Sequence, residues 1–119
     1  MKHDLLPPVP AHGEVWIASL DPIIGHEQQG MRPVLVISIN EFNLCGGERA
    51  IVVPITTKGS QRPFRVAHRA DEGGLAEPGW VLCDQIRSVS TLRFRRCCGD
   101  ISDETLGKVQ DQLAVLLDL

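Results

Sequence analysis

The sequence predicts a mainly β domain (α+β in content): a small antiparallel β-barrel followed by one C-terminal α-helix. Three observations carry this. Five short strand-like runs succeed one another with no long helix between them, which excludes a parallel α/β design. The one clear amphipathic helix comes last. A chain of 119 residues with 43% apolar content has enough material for one compact core and too little for two.

Residues 1–12 contain Pro7, Pro8 and Pro10 and read as an extended arm with little claim to a core, leaving residues 13–119 as a single domain. Gly13 opens the first strand, predicted over 14–19, where apolar and polar residues alternate. A polar loop is expected from Gly25 to Pro33. Pro33 disfavours helix just before it, and the uninterrupted apolar run over 34–38 reads as a strand buried on both faces. Residues 40–43 suggest a turn or a single helical turn.

The third strand is expected over 50–57. Pro54 cannot donate to a ladder, so this strand is placed near an edge or given a bulge. Residues 64–68 alternate as a half-exposed strand does, and 80–84 form the fifth strand. Residues 88–94 fit either a strand or a short helix. Ser102 can cap the final helix, Asp103 and Glu104 complement its dipole, and Ile101 can staple onto Leu106. Leu106, Val109, Leu113, Leu116 and Leu117 share one helical face, suited to docking on the barrel or on a partner subunit.

The formal charge of −3 is unevenly spread. Residues 85–99 hold four arginines (Arg87, Arg93, Arg95 and Arg96) and no acid, whereas residues 100–119 hold five acids against one lysine. With 4% aromatic residues and no tyrosine, a protein that stacks successive bases on exposed rings is disfavoured, so any nucleic-acid contact leans on arginine. The N-terminus lacks a secretory apolar core and no run approaches the roughly 20 residues that span a bilayer, which predicts a cytoplasmic protein without membrane contact. Cys45, Cys83, Cys97 and Cys98 show no metal-ligand spacing, alone or with His3, His12, His26 and His68. No metal or other cofactor is expected, and the cysteines read as buried or half-buried thiols.

If the barrel brings the loop at Arg32 together with the strand ends at Thr56-Thr57 and Asp84-Gln85, one rim gathers His26, Glu27, Arg32, Thr56, Asp84, Gln85 and Arg87. That set suits phosphoryl transfer without a metal. Cleaving RNA through its own 2′-OH needs a base, an acid for the leaving 5′-oxygen and a cation for the pentacoordinate phosphorane. Asp84 or Glu27 can serve as base and His26 as either acid or base. Arg32 offers a planar fork of donors matched to phosphate oxygens, and Thr56 and Gln85 can hold a phosphate or a base edge. Each residue also has an ordinary reading: a loop histidine is usually solvated, Arg32 can pair with Glu27 or Asp84, and Thr56 can be a plain strand threonine.

Several linked motifs resemble the MazF/PemK (Kid) toxin family and fall in that family's order. They are Gly13-Glu14-Val15-Trp16, Leu20-Asp21-Pro22, Gly25-His26-Glu27-Gln28-Gln29-Gly30, Arg32-Pro33-Val34-Leu35-Val36, Pro54-Ile55-Thr56 and Cys83-Asp84-Gln85-Ile86-Arg87. The resemblance runs from about Gly13 to Leu119. It implies an SH3-like barrel with a C-terminal helix, a homodimer, and a metal-independent, sequence-selective endoribonuclease that acts on single-stranded RNA and leaves a 2′,3′-cyclic phosphate and a 5′-hydroxyl. It also implies a cognate antitoxin, whose acidic disordered segment would block the basic rim, and contact with DNA only through that antitoxin. By this resemblance the family's site residues fall on His26, Arg32, Thr56, Asp84 and Gln85; with the rim reading above, the catalytic candidates are His26, Arg32, Thr56 and Asp84, and the RNA-binding candidates are Glu27, Thr57, Gln85 and Arg87.

One position departs from the pattern. The PemK-like branch carries an arginine two residues before the aspartate, proposed there as general acid, and here Leu82 stands in that place. Arg32 and His26 would then cover the acid role. The alternatives are a family member that binds RNA or antitoxin with little or no catalysis, and a gyrase-poisoning toxin of the same fold.

Overall fold

The computed structural model describes residues 9–20, 30–45 and 47–119. Seven antiparallel strands and two helices follow in the order β1 (Glu14–Ser19), β2 (Met31–Val36), α1 (Asn40–Cys45), β3 (Arg49–Thr56), β4 (Arg65–His68), β5 (Gly79–Leu82), β6 (Arg87–Ser90), β7 (Phe94–Asp100) and α2 (Asp103–Leu117). The strands form one sheet in the order β4-β5-β3-β2-β1-β7, and β6 pairs with β3 beside that path. The expected mainly β fold with a last helix is therefore present. Its barrel character is mild, because among the described residues no pairing joins β4 to β7 and the sheet stays open.

Strand periodicity explains the interior. In β2, Leu35 joins a core cluster with Val15, Val53, Ile55 and Val81, while its neighbours Val34 and Val36 join a second cluster with Ala18, Ala50, Val52, Val89 and Phe94. Successive side chains leave a strand on opposite faces, so a strand with apolar residues at every position feeds two cores at once. The first cluster is covered by α2 through Val109 and Leu113. The second is lined by β6 and β7, and Trp16 meets the Phe94 ring edge-on with centroids 5.5 Å apart.

Four expectations need correction. Arg32 and Pro33 are not loop residues: β2 begins at Met31, and Arg32 pairs across from Ala18 of β1. The strand holding Pro54 is central rather than an edge, with β2 on one side and β5 and β6 on the other. Ile37 N donates to Ile51 O at 2.9 Å, and alternation along the ladder then turns Val53, not Pro54, toward β2. The missing N–H of Pro54 thus falls on the opposite side, where pairing passes from β6 (through Val52) to β5 (from Ile55), and no donor is required there.

The segment over 88–94 resolves into β6 followed by a 3-10 turn at Thr91–Arg93, and β7, with its exposed arginines, is a further strand not read from the sequence. Finally, Cys45 and Cys97 are exposed; Cys83 is buried and Cys98 half-buried. Burial, helped by the negative charge of Asp84, pushes the Cys83 thiol up to about 11. A thiol reagent at pH 8 is expected to label Cys45 readily and to spare Cys83 until the chain unfolds; equal labelling of the two in the folded protein would contradict this packing.

Of the N-terminal arm, residues 9–12 are described, and they are tied down more than their prolines suggest. Pro10 is buried and its carbonyl accepts from Asn43 Nδ2 at 2.9 Å. α2 starts as expected, with Ser102 Oγ accepting from Thr105 N at 3.1 Å. The sequence stretch 71–74, read only as a loop, closes tightly on β7: a Cβ placed on Gly74, whose φ is +74°, would lie 1.9 Å from the Cys98 carbonyl oxygen. No helix among the described residues is long and apolar enough to cross a membrane.

Candidate RNA-binding and catalytic site

The site grows from the register of the central strands. Val34 pairs with Pro54 at the end of the β2–β3 ladder, and Arg32 and Thr56, two residues further along their strands, both line one cavity. Both side chains leave the face that carries Val34, Val36 and Val52, so they stand at the open end of the second core cluster. Arg87, across from Val52, leaves the same face of β6. Leu82, two residues on from Trp80, which pairs with Thr56, does so on β5. Four strands thus aim alternate residues into one cavity.

That cavity, of about 550 Å³, is walled by Leu20, Pro54, Leu82 and Ile86 and carries Arg32, Thr56, Lys58, Arg65, Gln85 and Arg87. Among the described residues its lining has four cations and no carboxylate, a local excess opposite in sign to the chain's formal charge. Gathered around aliphatic walls and uncompensated by any acid among the described lining residues, such a cluster attracts an anion. A second cavity of about 380 Å³ shares Arg32, Thr56 and Lys58 with the first and extends over Thr57, His68, Leu75 and Glu77. Together they make a groove with Arg32 and Thr56 at its middle.

Local hydrogen bonds set the donors. Thr56 Oγ1 accepts from Lys58 N at 3.1 Å, which uses a lone pair and leaves the hydroxyl hydrogen to be donated to a ligand. Arg87 Nη2 donates to Leu20 O at 3.0 Å and so fixes its guanidinium against the end of β1. His68 is buried, with Nδ1 against Arg69 O at 3.0 Å.

The residues expected from the sequence are distributed as follows. Arg32, Thr56, Gln85 and Arg87 share the first cavity, and Thr57 lines the second. Asp84 sits on the 3-10 turn Cys83–Gln85, exposed, and lines neither cavity. His26 and Glu27 lie outside the described residues. Arg95 and Arg96 belong to β7, at the far end of the strand order, and line neither cavity; Arg93 donates to Ser19 O at 3.3 Å. Lys58 and Arg65 were not among the expected residues. The signal for Arg65 was present: with Val66 and His68 buried, the alternation of β4 leaves Arg65 on the other face.

Comparison with known proteins agrees with this geometry. Residues 11–117 match the family described as PemK-like, MazF-like toxin of type II toxin-antitoxin system. The Escherichia coli endoribonuclease PemK is 39% identical over 103 residues, spanning 82% of this chain and 77% of that protein. The Bacillus subtilis endoribonuclease EndoA is 34% identical over 109 residues, spanning 90% and 93%. The crystal structure of MazF from Deinococcus radiodurans superimposes with a TM-score of 0.78 at 31% identity, covering 94% of this chain and 99% of that one. A MazE-MazF crystal structure from the same organism gives 0.74 at 28% identity, covering 94% and 98%. With the sheet order, the cationic cavity and these matches in agreement, the chain belongs to the PemK-like, MazF-like toxins of type II toxin-antitoxin systems.

Proposed function

We propose that the protein is an endoribonuclease toxin that cuts single-stranded RNA by attack of the 2′-OH on the adjacent phosphorus. The products would be a 2′,3′-cyclic phosphate and a 5′-hydroxyl. The observation that carries this reading is the presence of Arg32 and Thr56 in one cavity whose ionised groups, among the described residues, are all cationic. As the 2′-oxygen closes on phosphorus, negative charge accumulates on the equatorial oxygens, and a guanidinium together with a hydroxyl donor is the complement that favours this state over the ground state. Gln85 and Arg87 hold the chain on either side, and proton transfer is assigned to His26, outside the described residues, and to Asp84, which stands next to Gln85 of the cavity without lining it. Side chains supply the positive charge, so the reaction is expected to run without a divalent ion.

The partner is proposed on the same chemistry. The MazE-MazF structure similar to this chain is a complex by its name, and a cationic groove is suited to an acidic, disordered antitoxin segment that orders on contact and displaces RNA. A homodimer is proposed from the apolar surface at the end of α2, where Val115, Leu117 and Leu119 are exposed beside a groove over Ile37, Ile51 and Ile86.

A second reading, binding without cleavage, has one specific feature in its favour: Leu82 presents an aliphatic chain to the cavity where a further polar group would assist departure of the 5′-oxygen. Incubating the purified protein with mixed-sequence single-stranded RNA in EDTA, followed by end-group analysis, separates the two. Cyclic phosphate and 5′-hydroxyl ends are expected. RNA that is bound but stays intact would replace the first reading with the second.

A further inference from the structure

We infer that Arg65 is a phosphate-contacting residue of this groove, holding an RNA phosphate other than the one at Arg32; the inference rests on the RNA-binding reading above. In the β4–β5 register Arg65 stands directly opposite Leu82, and such cross-strand pairs share a face. Leu82 lines the Arg32 cavity, and Arg65 lines it too. The polar group missing from β5 is thus matched by a guanidinium on the next strand.

That guanidinium has a seat. Nη1 donates to Ser60 O at 3.2 Å, and a Cβ on Gly59 would lie 2.4 Å from Nη1, so the loop after β3 leaves open the space the arginine head fills. Gly59 has φ +92°, a conformation other residues rarely adopt, which reinforces the open seat. Ser60 engages one of five N–H donors, and among the described residues Arg65 enters no ion pair. A half-buried arginine with donors to spare, facing a cavity that has no carboxylate among its described residues, is equipped to take an anion, although Asp111 lines another cavity that Arg65 also borders.

Strand spacing indicates which phosphate it takes. From β4 to β2 the sheet crosses three interstrand steps of about 4.8 Å, roughly 14 Å in all. With its head anchored on the β3–β4 loop, Arg65 serves another phosphate of the same RNA strand and not the one undergoing attack. Its loss should therefore raise KM and weaken binding while the chemical step persists.

The test compares wild type, Arg65→Ala and Arg65→Lys in two assays. The first measures Kd for a mixed-sequence, fully 2′-O-methylated RNA, which lacks the attacking hydroxyl, across a range of salt concentrations. The second measures kcat and KM on a cleaved RNA. Arg65→Ala is expected to bind about tenfold more weakly, with the slope of log K against log salt shallower by about 0.7, the value for one phosphate contact on a single strand. KM should rise in parallel and kcat should stay within about threefold, while Arg65→Lys keeps the wild-type slope. An unchanged slope and KM in Arg65→Ala would overturn the assignment, as would a loss confined to kcat. If wild type binds but does not cut, the cleavage reading fails and the Arg65 result is still read from binding. If wild type does not bind, both fall.

Discussion

Arg32→Ala is expected to lower kcat/KM for RNA cleavage by about a thousandfold, equivalent to about 4 kcal/mol of transition-state stabilisation, while leaving the melting temperature within about 2 °C of wild type. The size follows from where the side chain stands. Arg32 is exposed, at the solvent end of β2, so truncating it opens no cavity in either core cluster. It is also common to both cavities of the groove and shares both with Thr56, whose hydroxyl accepts from Lys58 N and keeps its hydrogen for a ligand. A bidentate guanidinium gains most where charge develops on two oxygens at once, so the loss should fall mainly on kcat. Arg32→Lys keeps the charge without the fork and should recover only about a tenth of the deficit in log terms or little more. Cleavage within threefold of wild type in Arg32→Ala would remove this residue from the chemistry and with it the central claim of the site.

The contrast between Arg32 and Arg65 shows what the sequence could and could not reveal. Arg32 was legible because its neighbourhood is dense in polar groups and followed by an apolar strand, although its place inside β2 was hidden by Pro33, which reads locally as a loop end. Thr56, Gln85 and Arg87 were legible as polar residues at strand ends. That they meet Arg32 depends on the β2–β3 register and on β3 changing partner at Pro54, and both are pairings between distant parts of the chain. Arg65 carries a weaker mark: the alternation of β4, in which it is the one arginine, sets it on the face away from Val66 and His68, but only the pairing with Leu82 brings that face to the groove. The helix α2 was read almost to the residue, because capping and amphipathic spacing are local properties, whereas β7 was missed because an edge strand rich in arginine has no apolar alternation to betray it. The Arg93 to Arg96 run, conspicuous in composition, contributes to neither cavity, since β7 sits beyond β1 in the sheet.

The second large effect is structural and concerns Glu72, which the sequence places in an unremarkable loop. Its carboxylate is buried, with Oε2 accepting from Arg69 N at 2.8 Å and Oε1 from Ser102 N at 3.1 Å and from the Ser102 hydroxyl. The same Ser102 caps α2, so one carboxylate ties the loop after β4 to the start of the helix that covers the first core cluster. Burial opposes the charge, but the hydrogen bonds from Ser102, Thr105 and the two backbone N–H groups outweigh it and hold the group down at about 2, against an ordinary 4.5. At about 1.36 kcal/mol per pH unit, that lowering corresponds to something on the order of 3 kcal/mol. Because the folded-state value is the lower one, the contribution is complete above the unfolded value, and it drains away as pH falls from about 5 toward 2, with over half gone near pH 3. Glu72→Gln should therefore cost about 2 kcal/mol at pH 7, a fall in melting temperature of roughly 8 °C, since an amide keeps part of the geometry without the charge. The gap between variant and wild type, followed by denaturant unfolding, should narrow steadily between pH 5 and pH 3. A gap of the same size at both ends of that range would mean that shape, and not the ionised hydrogen-bonded carboxylate, is what the loop and the helix start require.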